Sequence, residues 1–241
     1  MARYGITIFL SAFLLFQVQP IIAKAILPWF GGSPSVWTTC MLFFQTLLVA
    51  GYAYAHFLSQ RLSTRGFTLL HFALIGLAFL FLPIIPAEIW RPTGNEAPAM
   101  RLLLLLFATI CLPYLVLSAS NPLLQSWFHE EHGTTPYRLF ALSNLGSLLG
   151  LLTYPFIVEP NFTIRSQAII WSVVFAAYAA CFVWCGVRRL QHFGKPQTAS
   201  PKAKAASEPA RKISVREWTH WIALPACASL LLLAITNQIC Q

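Results

Sequence analysis

The chain has 241 residues, of which 57% are hydrophobic and only 10% are charged, and its formal net charge is +9. Its mean hydropathy is +0.66. Soluble domains carry about a quarter charged residues, so this composition excludes a water-soluble fold. No aromatic or glycine-rich pattern accompanies the positive charge, and nucleic-acid binding is therefore not expected. The sequence predicts an all-α, polytopic integral membrane helical bundle.

Seven apolar stretches have about the 20 residues that a helix needs to cross a bilayer core. They cover residues 4–26, 36–58, 67–85, 100–120, 137–158, 164–186 and 221–241. The fifth carries Arg138 and Asn144 near its start, and the alternative is that it begins as an interfacial helix.

These stretches predict a domain organisation for the whole chain. We expect a six-helix membrane bundle over residues 1–190 and a basic, disordered cytoplasmic linker over residues 191–217. A seventh transmembrane helix is expected over residues 218–241. It has no polar flank after it, which suggests that the chain is part of a longer protein.

The distribution of lysine and arginine predicts the orientation. Cytoplasmic loops of membrane proteins carry an excess of these residues. Twelve of the sixteen fall on the side of the N-terminus, which is therefore predicted to be cytoplasmic: Arg3, Arg61, Arg65, Arg138, Arg188, Arg189, Lys195, Lys202, Lys204, Arg211, Lys212 and Arg216. The alternative for the first stretch is a cleaved signal peptide, because residues 23–25 resemble a small-residue cleavage site.

Several polar side chains lie deep in the apolar stretches, where an unpaired polar group is costly. Gln17 and Lys24 share a face of the first helix, and Gln45 lies midway along the second, so these groups are candidates to meet. The alternative is that Lys24 reaches the outer interface and the glutamines bond between helices. If the bundle holds a cavity, its predicted polar lining is Gln17, Gln19, Lys24, Gln45, Asn121, Gln125 and Asn144.

Two further patterns concern the fourth and fifth stretches. Pro113 interrupts the fourth, and residues 118–122 are predicted to end it before an amphipathic segment at residues 123–128. This pattern indicates either a broken helix at a cavity or an ordinary helix end followed by an interfacial helix. In the fifth stretch small residues form one face that predicts close helix packing. They are Ser143, Gly146, Ser147 and Gly150.

A group of histidines and glutamates at residues 129–132 raises the question of a metal site. In a zincin motif the two histidines are four apart and a glutamate follows the first, which is not the spacing here. We therefore predict a solvated cytoplasmic loop. The six cysteines form no metal-type pair, and no metal, other cofactor or catalytic residue is expected.

Seven segments carry a resemblance to a known family: residues 11–20, 27–33, 36–40, 51–56, 117–125, 137–147 and 236–241. They resemble the membrane half of bacterial fused transporter/spermidine-synthase-like proteins. The resemblance implies major-facilitator-like helices in the bacterial inner membrane. It also implies a following soluble domain similar to spermidine synthase, which transfers an aminopropyl group from decarboxylated S-adenosylmethionine to putrescine.

That soluble domain is missing from this sequence. Aminopropyl transfer needs a nucleotide-sized pocket with a glycine-rich turn and carboxylates. The chain contains no aspartate, and its seven glutamates lie in loops or at helix ends. This chain alone is therefore not expected to be an enzyme, and the shortage of intramembrane carboxylates disfavours polyamine transport.

Three functions remain open. The first is a non-catalytic membrane domain that anchors or serves a spermidine-synthase-like domain. The alternatives are a small-solute permease and a non-catalytic membrane scaffold or accessory subunit. The expected partners are the lipid bilayer and either the soluble domain or another membrane subunit.

Overall fold

The computed structural model describes residues 1–92, 98–193 and 214–239. All regular structure in these ranges is helical, which confirms the predicted all-α class. The main helices are α1 (Ala2–Phe30), α2 (Pro34–Arg61), α3 (Thr64–Ala78), α4 (Pro98–His132), α5 (Tyr137–Thr153), α6 (Ile164–Phe193) and α7 (Val215–Ile239). A 3-10 turn, Phe79–Phe81, continues α3, and a π-helical turn, Tyr154–Val158, continues α5.

Helices α1 to α6, with these continuations, are each long and apolar enough to cross a membrane. They belong to one compact unit, Met1–Lys195, whereas α7 belongs to a second, Pro196–Gln241. The apolar stretch described in α7, Thr219–Leu231, is shorter than a span. The end of the predicted seventh span, at residues 240–241, and residues 194–213 of the predicted linker lie outside the described residues.

The fourth helix is continuous, so the prediction that it ends at residues 118–122 is wrong. Both Pro113 and Pro122 lie inside it, although each lacks the N–H that would bond one turn back. The hydroxyls of Ser118 and Ser120 donate to carbonyls of the preceding turn at 2.9 and 2.7 Å. The two serines of the polar run that predicted a break are therefore bonded within the helix, and there is neither a broken nor a separate interfacial helix at this point.

Helices α1 and α4 form the centre of the six-helix unit. Helix α1 packs against α4, α5 and α6, and α4 also packs against α2 and α3. Trp171 of α6, which is 1% exposed, donates its indole N–H to the carbonyl of Leu14 in α1 at 3.0 Å. Because indole N–H groups need a partner when buried, this bond fixes how α6 is oriented against the central helix.

Helices α1 and α5 approach each other through the predicted small-residue face. A Cβ atom built on Gly146 would lie 2.7 Å from the carbonyl oxygen of Phe9, and one on Gly150 would lie 2.8 Å from that of Phe13. Real Cβ atoms do not come so close to other atoms. The predicted close packing of this face is therefore confirmed, and it depends on glycine at both positions.

Candidate functional site

The two glutamines of α1 bond to two different neighbours. Gln17 is buried and donates to the hydroxyl of Thr153 in α5 at 3.4 Å. Gln19 donates to the hydroxyl of Tyr114 in α4 at 3.3 Å. Both side chains therefore form hydrogen bonds between helices, as we expected from the alternative interpretation of these residues.

The other predicted polar residues of the first two helices do not join them in a cavity. The Nζ atom of Lys24 lies 3.1 Å from Oε1 of Glu159, and both side chains are partly exposed. Gln45 lies on an exposed face of α2, and within the described residues no hydrogen bond joins it to another side chain. Gln17 and Gln45 therefore form no hydrogen bond with each other, and the predicted contact between them is wrong.

Three of the seven predicted residues do line one cavity. This cavity, here called the amide cavity, has a volume of about 320 Å³ and lies between α2, α4 and α5. Its lining residues are Tyr52, Asn121, Pro122, Gln125, Phe140, Ser143 and Asn144. The continuity of α4 explains the grouping, because Asn121 and Gln125 are four residues apart and share one face of a helix.

Several polar groups that line the amide cavity have no hydrogen-bond partner. The amide nitrogen of Asn121 donates to the hydroxyl of Ser143 at 3.0 Å, but its Oδ1 is buried without a partner. The side chains of Tyr52, Gln125 and Asn144 form no hydrogen bond to another described residue. Oδ1 of Asn121 is the one buried polar atom among these groups, and leaving it without a partner is costly. Tyr52 and Asn144 are exposed and Gln125 is partly exposed, so all four groups are available to a ligand or to water.

A second cavity lies beside the first, with a volume of about 250 Å³. We call it the arginine cavity. Tyr52 and Pro122 line both cavities, and the arginine cavity is additionally bordered by His56, Ser59, Ser126, Trp127, Glu130 and Arg189. Glu130 lies in the last turn of α4, and this cavity therefore borders the end of the bundle to which α4 runs.

Arg189 is the most unusual group in this second cavity. It is 8% exposed, and its Nη2 lies 2.5 Å from Oε2 of Glu130. The guanidinium also lies over the ring of Trp127, with 4.8 Å between Cζ and the ring centroid. An ion pair and a cation–π contact together compensate for the removal of this charge from water.

The histidine and glutamate group at residues 129–132 is the last turn of α4 and not the predicted loop. Glu131 accepts from the hydroxyl of Tyr4 at 2.6 Å and forms an ion pair with Arg3. The ring of His132 stacks on Phe128, with 4.3 Å between centroids. The predicted solvent exposure of these residues is confirmed. The prediction of a loop is wrong, because α4 continues through them and Glu130 and Glu131 pair with arginines of α6 and α1.

Sequence reasoning missed two buried polar pairs. His71 of α3 is 0% exposed, and its Nδ1 lies 3.2 Å from the hydroxyl of Tyr54, while its Nε2 has no described partner. The hydroxyls of Ser120 and Tyr178 bond to each other in the centre of the unit. A histidine inside an apolar stretch was a visible signal, because ionisable residues in membrane helices are rare.

Comparison of the chain with known protein families, with curated protein sequences and with solved structures finds no match.

Proposed function

We propose that this chain is the non-catalytic membrane part of a spermidine-synthase-like protein, which anchors or serves a soluble domain. In this proposal the N-terminus is cytoplasmic and the bundle lies in the inner membrane of a bacterium. The proposal combines the resemblance of the sequence segments with one structural observation, the way in which the bundle uses its carboxylates.

Three glutamates near helix ends of the six-helix unit form ion pairs within it. Glu130 pairs with Arg189, Glu131 with Arg3, and Glu159 with Lys24. Aminopropyl transfer needs carboxylates that are free to hold a cationic amine and a ribose. Carboxylates already paired with the bundle's own cations are poorly suited to that task, which supports a membrane module without catalysis.

The ion pairs also support the proposed orientation. Arg3 at the start of α1 contacts the end of α4 through Glu131, and Arg189 near the end of α6 contacts the same turn through Glu130. Helix α1 therefore runs in the opposite direction to α4 and α6, so that Arg3, Arg188 and Arg189 collect at one end. The bias of such residues towards the cytoplasm favours that end as the inner one.

A specific observation favours a small-solute permease as the second candidate. The amide cavity offers several unbonded polar groups within helices that are long enough to span a membrane. Polar groups inside membrane helices commonly face a substrate path or an aqueous cavity. In this alternative the cavity is the substrate site and no soluble domain is needed.

The orientation is tested with two cysteine variants in a background without other cysteines. Ser35 and Ser59 are both exposed and lie at opposite ends of α2. A membrane-impermeant maleimide should label Ser35→Cys in intact cells and Ser59→Cys only after lysis. The reverse pattern would overturn the proposed orientation.

The function is tested by determining the complete reading frame and purifying its product beside the chain of residues 1–241. Each protein is assayed for aminopropyl transfer from decarboxylated S-adenosylmethionine to putrescine, and for uptake of solutes in proteoliposomes. Transfer by the full product but not by residues 1–241 supports the proposal. Transfer by residues 1–241 alone overturns it, and uptake without transfer by either protein replaces it with the permease.

A further inference from the structure

The amide cavity is built from groups that both donate and accept hydrogen bonds. Each of the amides of Asn121, Gln125 and Asn144 has a carbonyl acceptor and an NH₂ donor, and the hydroxyl of Tyr52 can act in either role. Of these groups, only the NH₂ of Asn121 has a hydrogen bond within the described part of the chain. A matching ligand must therefore present donors and acceptors side by side.

The absence of charged residues from the lining further limits the class of ligand. No lysine, arginine, histidine, aspartate or glutamate is among the residues that line this cavity in the described structure. A cation or an anion placed there would find no opposite charge among the lining residues to compensate for the hydration that it loses. Putrescine and similar polyamines are therefore poor ligands for the amide cavity, and an uncharged ligand fits better.

The remaining lining residues are apolar or aromatic. Phe140, Pro122 and the ring of Tyr52 provide surfaces for C–H groups beside the polar amides. The volume of about 320 Å³ is at the lower end of the range of small-molecule pockets, which is roughly 300–1,000 Å³. A ring that carries hydroxyls along its edge and C–H groups on its faces matches this combination.

We infer that the amide cavity binds an uncharged, hydroxyl-rich group of about the size of a monosaccharide. The group is either a free polyol or the sugar headgroup of a lipid, since both present the same hydroxyl chemistry. Binding at this cavity does not require that the chain transports the ligand or that a soluble domain is present, so the inference is independent of the proposed function.

The position of the cavity is compatible with both sources of the ligand. Gln125 lies five residues before Glu130 in α4, which corresponds to about 7 Å along the helix axis. The cavity thus lies just inside the end of the bundle marked by the Arg189 ion pair. Asn144 is exposed, and the cavity is accordingly open at its α5 side.

The test measures binding to the purified chain in nanodiscs of phosphatidylcholine, whose headgroup has no hydroxyls. Radiolabelled octyl β-glucoside and radiolabelled D-glucose are the two probes, and unlabelled putrescine is the competitor. We expect saturable binding of at least one probe that putrescine does not reduce. Binding of glucose assigns the site to a free polyol, whereas binding of octyl glucoside alone assigns it to a glycolipid headgroup.

Variants connect the binding to the cavity. Asn144→Leu and Gln125→Leu should each weaken binding by about fivefold to tenfold, the loss expected for one neutral hydrogen bond. Tyr52→Phe removes a single hydroxyl without changing the shape of the side chain's ring, and it should also weaken binding. Gln45→Leu is the matched control, because Gln45 is an exposed amide in α2 that does not line the cavity. This variant should bind the probe as well as the unchanged protein does.

Three results would overturn the inference. They are the absence of saturable binding by both probes, unchanged binding in all three cavity variants, and displacement of the probe by putrescine. Thermal unfolding of each variant is recorded in the same nanodiscs, and the result then rests on the variants that fold, of which Tyr52→Phe changes the shape least. Aminopropyl transfer by the full reading-frame product is measured separately and distinguishes a failure of this inference from a failure of the proposed function.

Discussion

Arg189 and Glu130 form an ion pair in which the two partners have very different exposure. Nη2 of Arg189 lies 2.5 Å from Oε2 of Glu130, while the arginine side chain is 9% exposed and the glutamate side chain 44%. The arginine therefore depends on this partner and on the ring of Trp127 more than the glutamate does. The pair joins the last turn of α4 to Arg189, near the end of α6, beside the arginine cavity.

Glu130→Gln should destabilise the protein because it leaves the buried guanidinium without its counter-charge. We expect a loss of about 1–3 kcal/mol in the free energy of unfolding, below the larger values for fully buried pairs because Glu130 is partly solvated. The measurement is unfolding of the purified protein in detergent, followed by tryptophan fluorescence.

The double variant Glu130→Gln/Arg189→Met should recover part of this loss, since it removes the uncompensated charge together with its partner. Arg188→Gln is the control, because Arg188 is exposed and a surface charge contributes little. An equal loss in Arg188→Gln and Glu130→Gln would show that the ion pair is not the cause.

Gly146→Ala should loosen the contact between α1 and α5. The added methyl group would lie 2.7 Å from the carbonyl oxygen of Phe9, a backbone atom that cannot rotate away. The two helices must separate to admit it, and overpacking of this kind costs about 1–3 kcal/mol. Chemical unfolding in mild detergent measures the change.

Gly76→Ala provides a matched substitution within α3. A Cβ atom at Gly76 meets nothing within 4 Å, so the helix gains a better helix former without a clash. We expect this variant to be unchanged or stabilised by less than about 1 kcal/mol. Destabilisation of both variants to the same extent would count against the close approach of α1 and α5.

The helices and one helix contact could be predicted from the sequence because both depend on local patterns. Runs of apolar residues indicate the six long helices, and the spacing of Gly146 and Gly150 indicates a flat face for a neighbour. The extent of α4 was not predictable in this way. Pro122 and the preceding polar residues are typical of a helix end, and only packing on both sides keeps the helix continuous there.

The candidate site was predicted only in part, for a physical reason. A sequence shows which side chains share a face of one helix, but it does not show which helix faces that surface. Asn121 and Gln125 could be paired by spacing, whereas the bond from Gln17 to Thr153 depends on how α1 and α5 are arranged. The role of Arg189 was missed because its pairing with Glu130 joins residues that are distant in the chain.

Lys24 and Glu159 offer a direct test of the arrangement at the opposite end of the unit. Their charged atoms lie 3.1 Å apart, so cysteines at these positions should be joined by a short bis-maleimide in a background without other cysteines. The cross-link is detected by protease cleavage between α1 and α5 followed by gel electrophoresis. Gln45→Cys paired with Glu159→Cys is the control, and we expect no product from it because Gln45 lies on an exposed face of α2.

His71 and Tyr54 form a partly buried hydrogen bond. Replacing Tyr54 and replacing His71 should change the stability of the protein by different amounts. Tyr54→Phe leaves the histidine ring without its described partner, because Nε2 is already unpaired. We expect this change to lower the free energy of unfolding by about 1 kcal/mol or more. His71→Leu removes the polar ring but leaves the hydroxyl of Tyr54 without its partner. It should cost less than Tyr54→Phe, because the ring of His71 is fully buried whereas the hydroxyl bond is only partly buried.

The two substitutions are then combined to isolate the hydrogen bond. In the His71→Leu background, Tyr54→Phe should have almost no effect, since the hydroxyl has lost its partner and its removal leaves no unpaired histidine. The difference between the two backgrounds is the coupling energy of the pair and is measured by unfolding of all four proteins under one set of conditions. A coupling energy of zero would mean that the bond of 3.2 Å between Tyr54 and His71 contributes nothing to stability.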